Sequence, residues 1–170
     1  AAGVTGCYHL ANKMGLRDVM TFDMGGTTAK AGVIEDGEVL RCPEYEVGGS
    51  ISIGHRLLKG GGYLLRVHSV DIAEVGAGGG SIAWLDSANV LKVGPNSAGA
   101  DPGPACYDRG GREATITDAN VVLGLTNPDY LAGGTLKINP DLAHQAINEN
   151  IAKRIDVGVT EAAWGIRTVT

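Results

Sequence analysis

The chain has 170 residues, enough for one domain of ordinary size or for part of a larger one. Its formal charge of −5 argues against a dedicated nucleic-acid binder, and no apolar run reaches the roughly 18 residues that span a bilayer. Three widely spaced cysteines and the lack of a secretory signal predict a cytoplasmic protein with reduced thiols and no membrane partner.

The first half of the sequence predicts one helix followed by strands. Apolar residues at helical spacing predict a helix over residues 3–15, which ends at Gly15. The predicted strands of this half run over residues 18–24, 28–35, 38–46 and 63–75. The dipeptide Asp36-Gly37 predicts a tight hairpin turn, and a glycine-rich loop is expected over residues 47–62.

The second half predicts a hairpin, a long loop and then helices. The hairpin turns around Asp86 to Asn89, and residues 95–111 form a loop of the kind that is usually functional or disordered. The expected helical segments are a short helix that is capped by Thr117 or Asp118 and ends near Gly124, a turn or helical stub over 127–132, a helix from Asp141 to about Lys153, and a last helix capped by Thr160. This order indicates an α/β fold, with α+β as the alternative, in which helices pack on a mixed sheet.

A carboxylate, two glycines and two threonines stand together where the first predicted strand ends. Because Gly25 and Gly26 lack Cβ atoms, a phosphate can lie against their backbone N–H groups. The hydroxyls of Thr27 and Thr28 can donate to phosphate oxygens, and Asp23 can hold Mg²⁺ through waters or orient an attacking water. The alternative is an ordinary tight turn in which the backbone N–H groups donate hydrogen bonds to the Asp23 carboxylate. On these residues alone both interpretations stay open.

A second glycine-rich segment, Gly-Ala-Gly-Gly-Gly-Ser, follows a predicted strand at residues 76–81. Gly76 and Gly78 fit the start of the dinucleotide fingerprint, but Ser81 occupies its last position and a strand follows, so NAD binding is not expected. The segment can instead cradle a phosphate or a substrate carbonyl. A turn made tight by packing is the alternative, although an ordinary turn needs only one or two glycines.

Other polar residues have a functional and an ordinary interpretation. Lys30 can reach a phosphate, but we favour a strand lysine that faces solvent or protects a sheet edge. Asp101, Cys106 and Asp108 are candidate site groups in the long loop, where solvated side chains are the commoner case. His68 is more often structural or on the surface than a ligand. Since no base is adjacent to Cys106 in the sequence, its spacing predicts no nucleophile.

Four segments together resemble the hydantoinase A / 5-oxoprolinase / acetone carboxylase beta-subunit family, over essentially the whole chain and in the family's order. They are TFDMGGTTAK, VGAGGGSIAW, VGPNSAGADPGPACYDRGG and TITDANVVLG, of which the third contains the highly specific string SAGADPGPACY. The resemblance implies an ATPase fold like that of actin, heat-shock chaperones and sugar kinases, built on ribonuclease-H-like domains. Two phosphate-binding hairpins face each other in that superfamily, and helix 3–15 with hairpin 23–28 matches the second. Residues 1–170 are therefore expected to be one fragment of the hydantoinase/oxoprolinase domain, without the first hairpin and the remaining domains.

The resemblance also implies site residues. Family members couple ATP hydrolysis to chemistry at an unreactive carbonyl or amide by phosphorylating the carbonyl oxygen. The implied roles are catalysis and binding of Mg²⁺ or another divalent metal for Asp23, phosphate binding for Gly25, Gly26, Thr27 and Thr28, and a second nucleotide- or substrate-facing loop for Gly78, Gly79, Gly80 and Ser81. Asp118 is expected to hold the long loop in place.

The activity implied by the resemblance is ATP-dependent opening of a cyclic amide such as a hydantoin or 5-oxoproline, with a hydantoinase B-like partner. The alternatives are a ketone carboxylase beta subunit and, for the isolated fragment, a nucleotide-binding module without chemistry of its own. Many members read Gly-Gly-Thr-Ser-Thr-Asp where this chain reads Gly-Gly-Thr-Thr-Ala-Lys. Lys30 therefore replaces one of the two carboxylates of such a metal site.

Overall fold

The computed structural model describes residues 1–47 and 63–170. They fall into two compact units, the first formed by Ala1–Met24 and Ala29–Val75, the second by Gly25–Thr28 and Gly76–Thr170. Apart from its first residue, the glycine-rich loop predicted over 47–62 lies outside the described residues. None of the helices in the described ranges combines the length and the apolar character that a membrane span requires.

The described part of the first unit contains one helix and eight short strands. They are α1 (Ala2–Met14), β1 (Val19–Met24), β2 (Ala29–Glu35), β3 (Glu38–Val39), β4 (Arg41–Cys42), β5 (Tyr45–Val47), β6 (Tyr63–Leu65), β7 (Ser69–Val70) and β8 (Ile72–Val75). Strand β2 is central, because it pairs with β1 from Ala29 to Ile34 and also with β3 and β8. Two further pairs, β4 with β7 and β5 with β6, complete the described strands of this unit.

Helix α1 packs on one face of this sheet through a close backbone approach. Val4 of α1 is 6% exposed and lies so near Gly32 of β2 that a Cβ at Gly32 would stand 2.6 Å from a Val4 methyl carbon. Beside it the buried Thr21 hydroxyl accepts from the Gly32 N–H at 3.1 Å and donates to the Gly32 carbonyl at 3.2 Å. The glycine therefore allows the helix to approach, and the threonine satisfies its backbone.

Two predicted boundaries of the first unit are confirmed. Gly15 ends α1 in the left-handed conformation, with φ of 71°, which glycine adopts without a Cβ penalty. Asp36 and Gly37 both have positive φ, 52° and 79°, and join β2 to the antiparallel β3. These are the dihedral signs of the type I′ turn that Asp-Gly favours between strands.

Two predicted strands are broken into pieces. Residues 38–46 form β3, β4 and part of β5, and Pro43 interrupts them because it has no N–H for a ladder. Residues 63–75 form β6, β7 and β8, which pair with β5, β4 and β2 respectively. The expected mixed sheet is not found either: every strand pair in the described part of the chain is antiparallel, which corresponds to the α+β alternative.

The second unit contains one hairpin and a set of helices. Its elements are β9 (Ser81–Leu85), β10 (Leu91–Ser97), a 3₁₀ turn (Ala105–Tyr107), α2 (Ile116–Val122), a second 3₁₀ turn (Ala132–Gly134), α3 (Pro140–Ile147), a π-helical turn (Asn148–Ala152), α4 (Lys153–Ile155) and α5 (Val159–Val169). The predicted hairpin is confirmed, with the Asp86 carboxylate accepting from the N–H groups of Ala88 and Val90 in its turn. The hydrogen bond from the Val90 N–H is the main reason why the pKa of Asp86 is lowered.

Small and branched apolar side chains fill the core of this unit. Its completely buried members are Ala83, Ala114, Ala119, Ile147, Ile151, Ala152, Ala163 and Ile166. Alanines on α2 and α5 allow the two helices to approach closely, and the isoleucines fill the space beside β9. This core fixes the start of α2, which matters for the site.

The helix starts of this unit differ from the predictions by one to three residues. Helix α2 is capped by Thr115, and Asp118 is the third helical residue, which completes a capping box. Asn139 caps α3, and Gly158 precedes α5, so that Thr160 lies inside α5. The helix predicted to end near Lys153 continues through the π turn to Ile155.

Candidate functional site: a glycine-anchored turn

The turn Gly25–Thr28 connects β1 to β2 and presents unused backbone donors. The Gly25 N–H donates to the Thr28 carbonyl at 2.9 Å and closes the turn. Gly26 and Thr27 are exposed, and in the described ranges their N–H groups donate to no protein acceptor. Two adjacent free N–H groups form the kind of nest that binds an anion.

The second glycine segment lies directly behind this turn. The N–H groups of Gly79 and Gly80 donate to the carbonyls of Gly25 and Gly26, at 2.9 and 2.6 Å. The turn is therefore held through its carbonyl groups.

All four N–H groups of the segment Gly78–Ser81 are used within the protein. Besides the two just described, Gly78 donates to the Ser81 hydroxyl at 2.9 Å, and Ser81 donates to the Gly78 carbonyl at 2.9 Å. Ser81 itself is 1% exposed. In this arrangement the segment supports the turn, and its predicted contact with a nucleotide or substrate stays a prediction.

Sterics explain the run of glycines better than turn formation does. A Cβ at Gly78 would stand 2.5 Å from the Thr27 nitrogen, and one at Gly80 would stand 2.8 Å from the Gly26 oxygen. A Cβ at Gly79 would meet the Thr117 hydroxyl oxygen at 2.7 Å. Each glycine is thus required because another part of the chain occupies the space of its side chain.

Ser97, at the end of β10, also holds the turn. Its hydroxyl donates to the Gly26 carbonyl at 3.2 Å and accepts from the Thr27 hydroxyl at 3.4 Å. The Gly99 N–H in turn donates to the same serine oxygen at 3.1 Å. Ser97 was not predicted as a site residue, although it is the first residue of the string SAGADPGPACY that carries the family resemblance.

Asp23 lies two residues before the turn, in the first unit. Its side chain is exposed, and its Oδ2 lies 3.7 Å from the position that a Cβ would take at Gly3. A cavity of about 60 Å³ is lined by Asp23, Lys30, Thr21 and Cys7, among others. This is well below the roughly 300–1,000 Å³ of ligand pockets, so this cavity alone does not accommodate a nucleotide.

Lys30 is paired to acidic residues on both neighbouring strands of the sheet. It is the register partner of Asp23 on β1 and of Glu74 on β8. Its Nζ lies 3.1 Å from Glu74 Oε1, and both side chains are about two-fifths exposed. Lys30 does not protect a sheet edge, because β2 is the central strand, but its side chain does reach solvent.

The long loop is ordered by Asp118, as the sequence predicted. This carboxylate is completely buried and accepts from the N–H groups of Ala105, Cys106 and Thr115, at 3.3, 2.8 and 3.0 Å. It also accepts from the Thr115 hydroxyl at 2.7 Å. Directly after the loop, Asn150 of the π turn donates to the Arg112 carbonyl at 2.9 Å. The loop is therefore neither free nor unsupported.

The remaining candidates are not brought together. Cys106 is completely buried, and burial followed by the charge of Asp118 raises the pKa of its thiol, which excludes an activated nucleophile. Asp101, Asp108 and His68 are exposed, as the ordinary interpretation predicted. Across residues 1–47 and 63–170, no group of three His, Cys, Asp or Glu side chains is placed to hold a metal ion. The three cysteines are unpaired.

Comparison with known proteins bears out the family. The hydantoinase/oxoprolinase family model matches residues 1–170. An uncharacterized protein of Methanocaldococcus jannaschii is 50% identical over 166 residues, which are 98% of this chain and 24% of that protein. The caprolactamase alpha subunit of Pseudomonas jessenii is 39% identical over 160 residues, 94% of this chain and 21% of its own.

Solved structures agree. The nucleotide-free structure of acetone carboxylase, an enzyme of ATP-dependent acetone carboxylation, superposes with a TM-score of 0.75. The two sequences are 30% identical, and the match covers 97% of this chain and 22% of the acetone carboxylase chain. The structure of the ATP-dependent caprolactamase from Pseudomonas jessenii gives 0.68 at 37% identity over 96% of this chain and 22% of its own. The chain thus spans between a fifth and a quarter of the length of these relatives. It belongs to the hydantoinase/oxoprolinase family.

Proposed function

We propose that this chain is part of an ATP-dependent enzyme that opens a cyclic amide, and that the turn Gly25–Thr28 binds the phosphates of ATP. The observation that carries the proposal is the pair of free N–H groups at Gly26 and Thr27, in an exposed turn whose carbonyls are anchored from behind. Hydrogen bonds from such N–H groups to a phosphate are strong, because the acceptor is charged. Support for ATP comes from the two ATP-dependent relatives.

We also propose that residues 1–170 are one fragment of the hydantoinase/oxoprolinase domain, with the actin-like, ribonuclease-H-like ATPase fold that the sequence resemblance implies. The relatives, which are four to five times as long, support the first statement. The ATPase fold is supported by the order of the elements, in which helix α1 precedes the hairpin β1–β2 and the turn Gly25–Thr28 joins the two strands.

Asp23 is the proposed metal ligand and catalytic residue. Mg²⁺ is usually bound through one or two carboxylates together with substrate phosphates and waters. Asp23 is one exposed carboxylate next to the turn Gly25–Thr28 in the sequence, which fits that chemistry. The described residues contain no group of side chains that would bind a metal ion without a substrate phosphate. Bound Mg-ATP would supply the phosphoryl group that makes a carbonyl oxygen a good leaving group. The chain's own contribution is to hold the phosphates, through Gly26 and Thr27 N–H groups and the Thr27 and Thr28 hydroxyls.

Gly78, Gly79, Gly80 and Ser81 take part indirectly in this proposal. Their N–H groups are already bonded, so they keep the turn in place rather than bind phosphate through the backbone. A hydantoinase B-like partner subunit is proposed as well, because the caprolactamase relative is itself a named subunit.

A second candidate is an ATP-dependent ketone carboxylase subunit. It is favoured by the acetone carboxylase structure, which has the higher TM-score of the two solved relatives. Both candidates need the phosphates of ATP to be held in the same way. For the isolated fragment, we propose that it has no catalytic activity of its own and binds Mg-ATP weakly or undetectably.

Substrate-dependent ATP turnover by the full-length protein tests these candidates. A panel of lactams and hydantoins should stimulate turnover if the enzyme opens a cyclic amide, and bicarbonate together with a ketone should do so if it is a carboxylase. Turnover that no member of either panel changes would contradict both.

The role of Asp23 is tested by Asp23→Asn, with Asp36→Asn as the matched control. Both are exposed aspartates of the first unit, and the control stands in the β2–β3 turn. We expect Asp23→Asn to keep the fold and to lose most of the ATP turnover, while Asp36→Asn keeps it. Full activity of Asp23→Asn would refute the assigned role.

A further inference from the structure

Thr117 directs two hydrogen bonds onto a single carbonyl. Its N–H donates to the Gly79 oxygen at 2.8 Å, and its hydroxyl donates to the same oxygen at 2.9 Å. A carbonyl has two lone pairs, so this one is fully used by one residue. Such a doubled contact fixes Gly79 both in distance and in direction.

Gly79 connects Thr117 to the phosphate turn. On its other side the Gly79 N–H donates to the Gly25 carbonyl at 2.9 Å. The space between is full, because a Cβ at Gly79 would stand 2.7 Å from the Thr117 hydroxyl oxygen. A displacement of Gly79 would therefore be transmitted to the turn.

The first turn of α2 is a rigid place from which to make this contact. Thr115 and Asp118 form a capping box there, and both are completely buried. Asp118 also binds the loop at Ala105 and Cys106. A buried polar network whose members are all satisfied holds its residues in one arrangement.

We propose that Thr117 is a positioning residue for the phosphate turn. Its hydroxyl holds the Gly79 peptide so that the free N–H groups of Gly26 and Thr27 keep one direction toward the phosphates. Thr117 acts through Gly79 and has no hydrogen bond to the turn itself. The inference rests on the proposed function for its effect on ATP, but its effect on the turn does not depend on ATP.

The test uses three variants of the full-length protein. Thr117→Val removes the hydroxyl and keeps the shape and the backbone N–H, and Thr117→Ser restores a hydroxyl. Thr168→Val is the matched control, because the Thr168 hydroxyl donates to the Trp164 carbonyl at 2.9 Å within α5 and makes no hydrogen bond to Gly79. Each variant is measured for amide hydrogen exchange without nucleotide and for the steady-state constants with ATP.

We expect Thr117→Val to speed exchange of the Gly79 and Gly80 amides and to raise the KM for ATP about tenfold, with a smaller change in kcat. Thr117→Ser should recover most of both effects, and Thr168→Val should show neither. Unchanged exchange in Thr117→Val would overturn the inference. So would faster exchange with an unchanged KM, or equal effects in both valine variants. If the wild type neither binds nor turns over ATP, the proposed function fails, while the exchange experiment still decides whether Thr117 holds the turn.

Discussion

The Asp118 carboxylate accepts a 2.8 Å hydrogen bond from the N–H of Cys106, a residue twelve positions earlier in the chain. This one contact joins the capping box of α2 to the 3₁₀ turn of the long loop. It explains why a loop with few regular elements is nevertheless held in place. The same carboxylate accepts three further hydrogen bonds, all from buried groups.

Asp118→Ala is therefore expected to release the loop. Three N–H groups and one hydroxyl lose a charged acceptor, which should lower the free energy of opening of this loop by about 3 kcal/mol or more. Amide exchange of Ala105 and Cys106 in the full-length protein measures this opening. Asp129→Ala is the control, because Asp129 is exposed; it should change the opening by less than about 0.5 kcal/mol. Equal exchange in both variants would contradict the role of Asp118.

Cys106 should be chemically inert in the folded protein. Burial raises the pKa of its thiol, and the negative charge of Asp118 adds to that effect, so the reactive thiolate is disfavoured. We expect iodoacetamide at pH 8 to modify the half-buried Cys7 before Cys106. Cys106 should be modified only after denaturation. Peptide mapping by mass spectrometry checks this, and modification of both cysteines at the same rate in the native protein would contradict it.

Gly78→Ala should disturb the turn Gly25–Thr28, whereas Gly76→Ala should not. The added Cβ at Gly78 would stand 2.5 Å from the Thr27 nitrogen and 2.7 Å from the Gly25 oxygen, but at Gly76 it would meet nothing within 4 Å. Because backbone must move to relieve the first contact, we expect Gly78→Ala to weaken binding of an ATP analogue at least tenfold, about 1.4 kcal/mol. Calorimetry on the full-length protein measures this. The same affinity in both variants would show that the turn does not depend on this packing.

The boundaries that the sequence predicted correctly depend on local chemistry. Gly15 and Asp36-Gly37 need positive φ, and few residues adopt it, so these positions can be recognised without any tertiary contact. The start of α2 was predicted two to three residues too late because Thr115, Thr117 and Asp118 all have capping side chains. Only the buried bonds of Asp118 identify Thr115 as the cap.

The site is a different case, because its geometry depends on long-range contacts. The sequence identified Gly25, Gly26 and the segment Gly78–Ser81 as two separate glycine sites. It did not indicate that the second supports the first, since a glycine run has the same composition whether ligand or backbone occupies the space. Ser97 and Thr117 were not predicted as part of the site, because their role depends on contacts that are distant in the sequence. Their partners lie 71 and 38 positions away in the chain.

Lys30 offers a last prediction, on the half-exposed ion pair that it makes with Glu74. Solvent screens such a pair, and its side chains lose freedom on pairing, so its contribution should be about 0.2–1 kcal/mol. Lys30 has further interactions, and Asp23 is its register partner on the opposite strand. A single substitution would therefore mix several effects. A double-mutant cycle of Lys30→Met and Glu74→Gln isolates the pair.

We expect a coupling of less than about 1 kcal/mol between these two residues, and a smaller value in 0.5 M salt because mobile ions screen exposed charges. Lys30→Met alone should cost more than Glu74→Gln alone, since it also leaves Asp23 without its cationic neighbour in the sheet. Amide exchange along β2 in the full-length protein gives the four free energies. A coupling well above 1 kcal/mol would mean that the pair is screened far less than its two-fifths exposure implies.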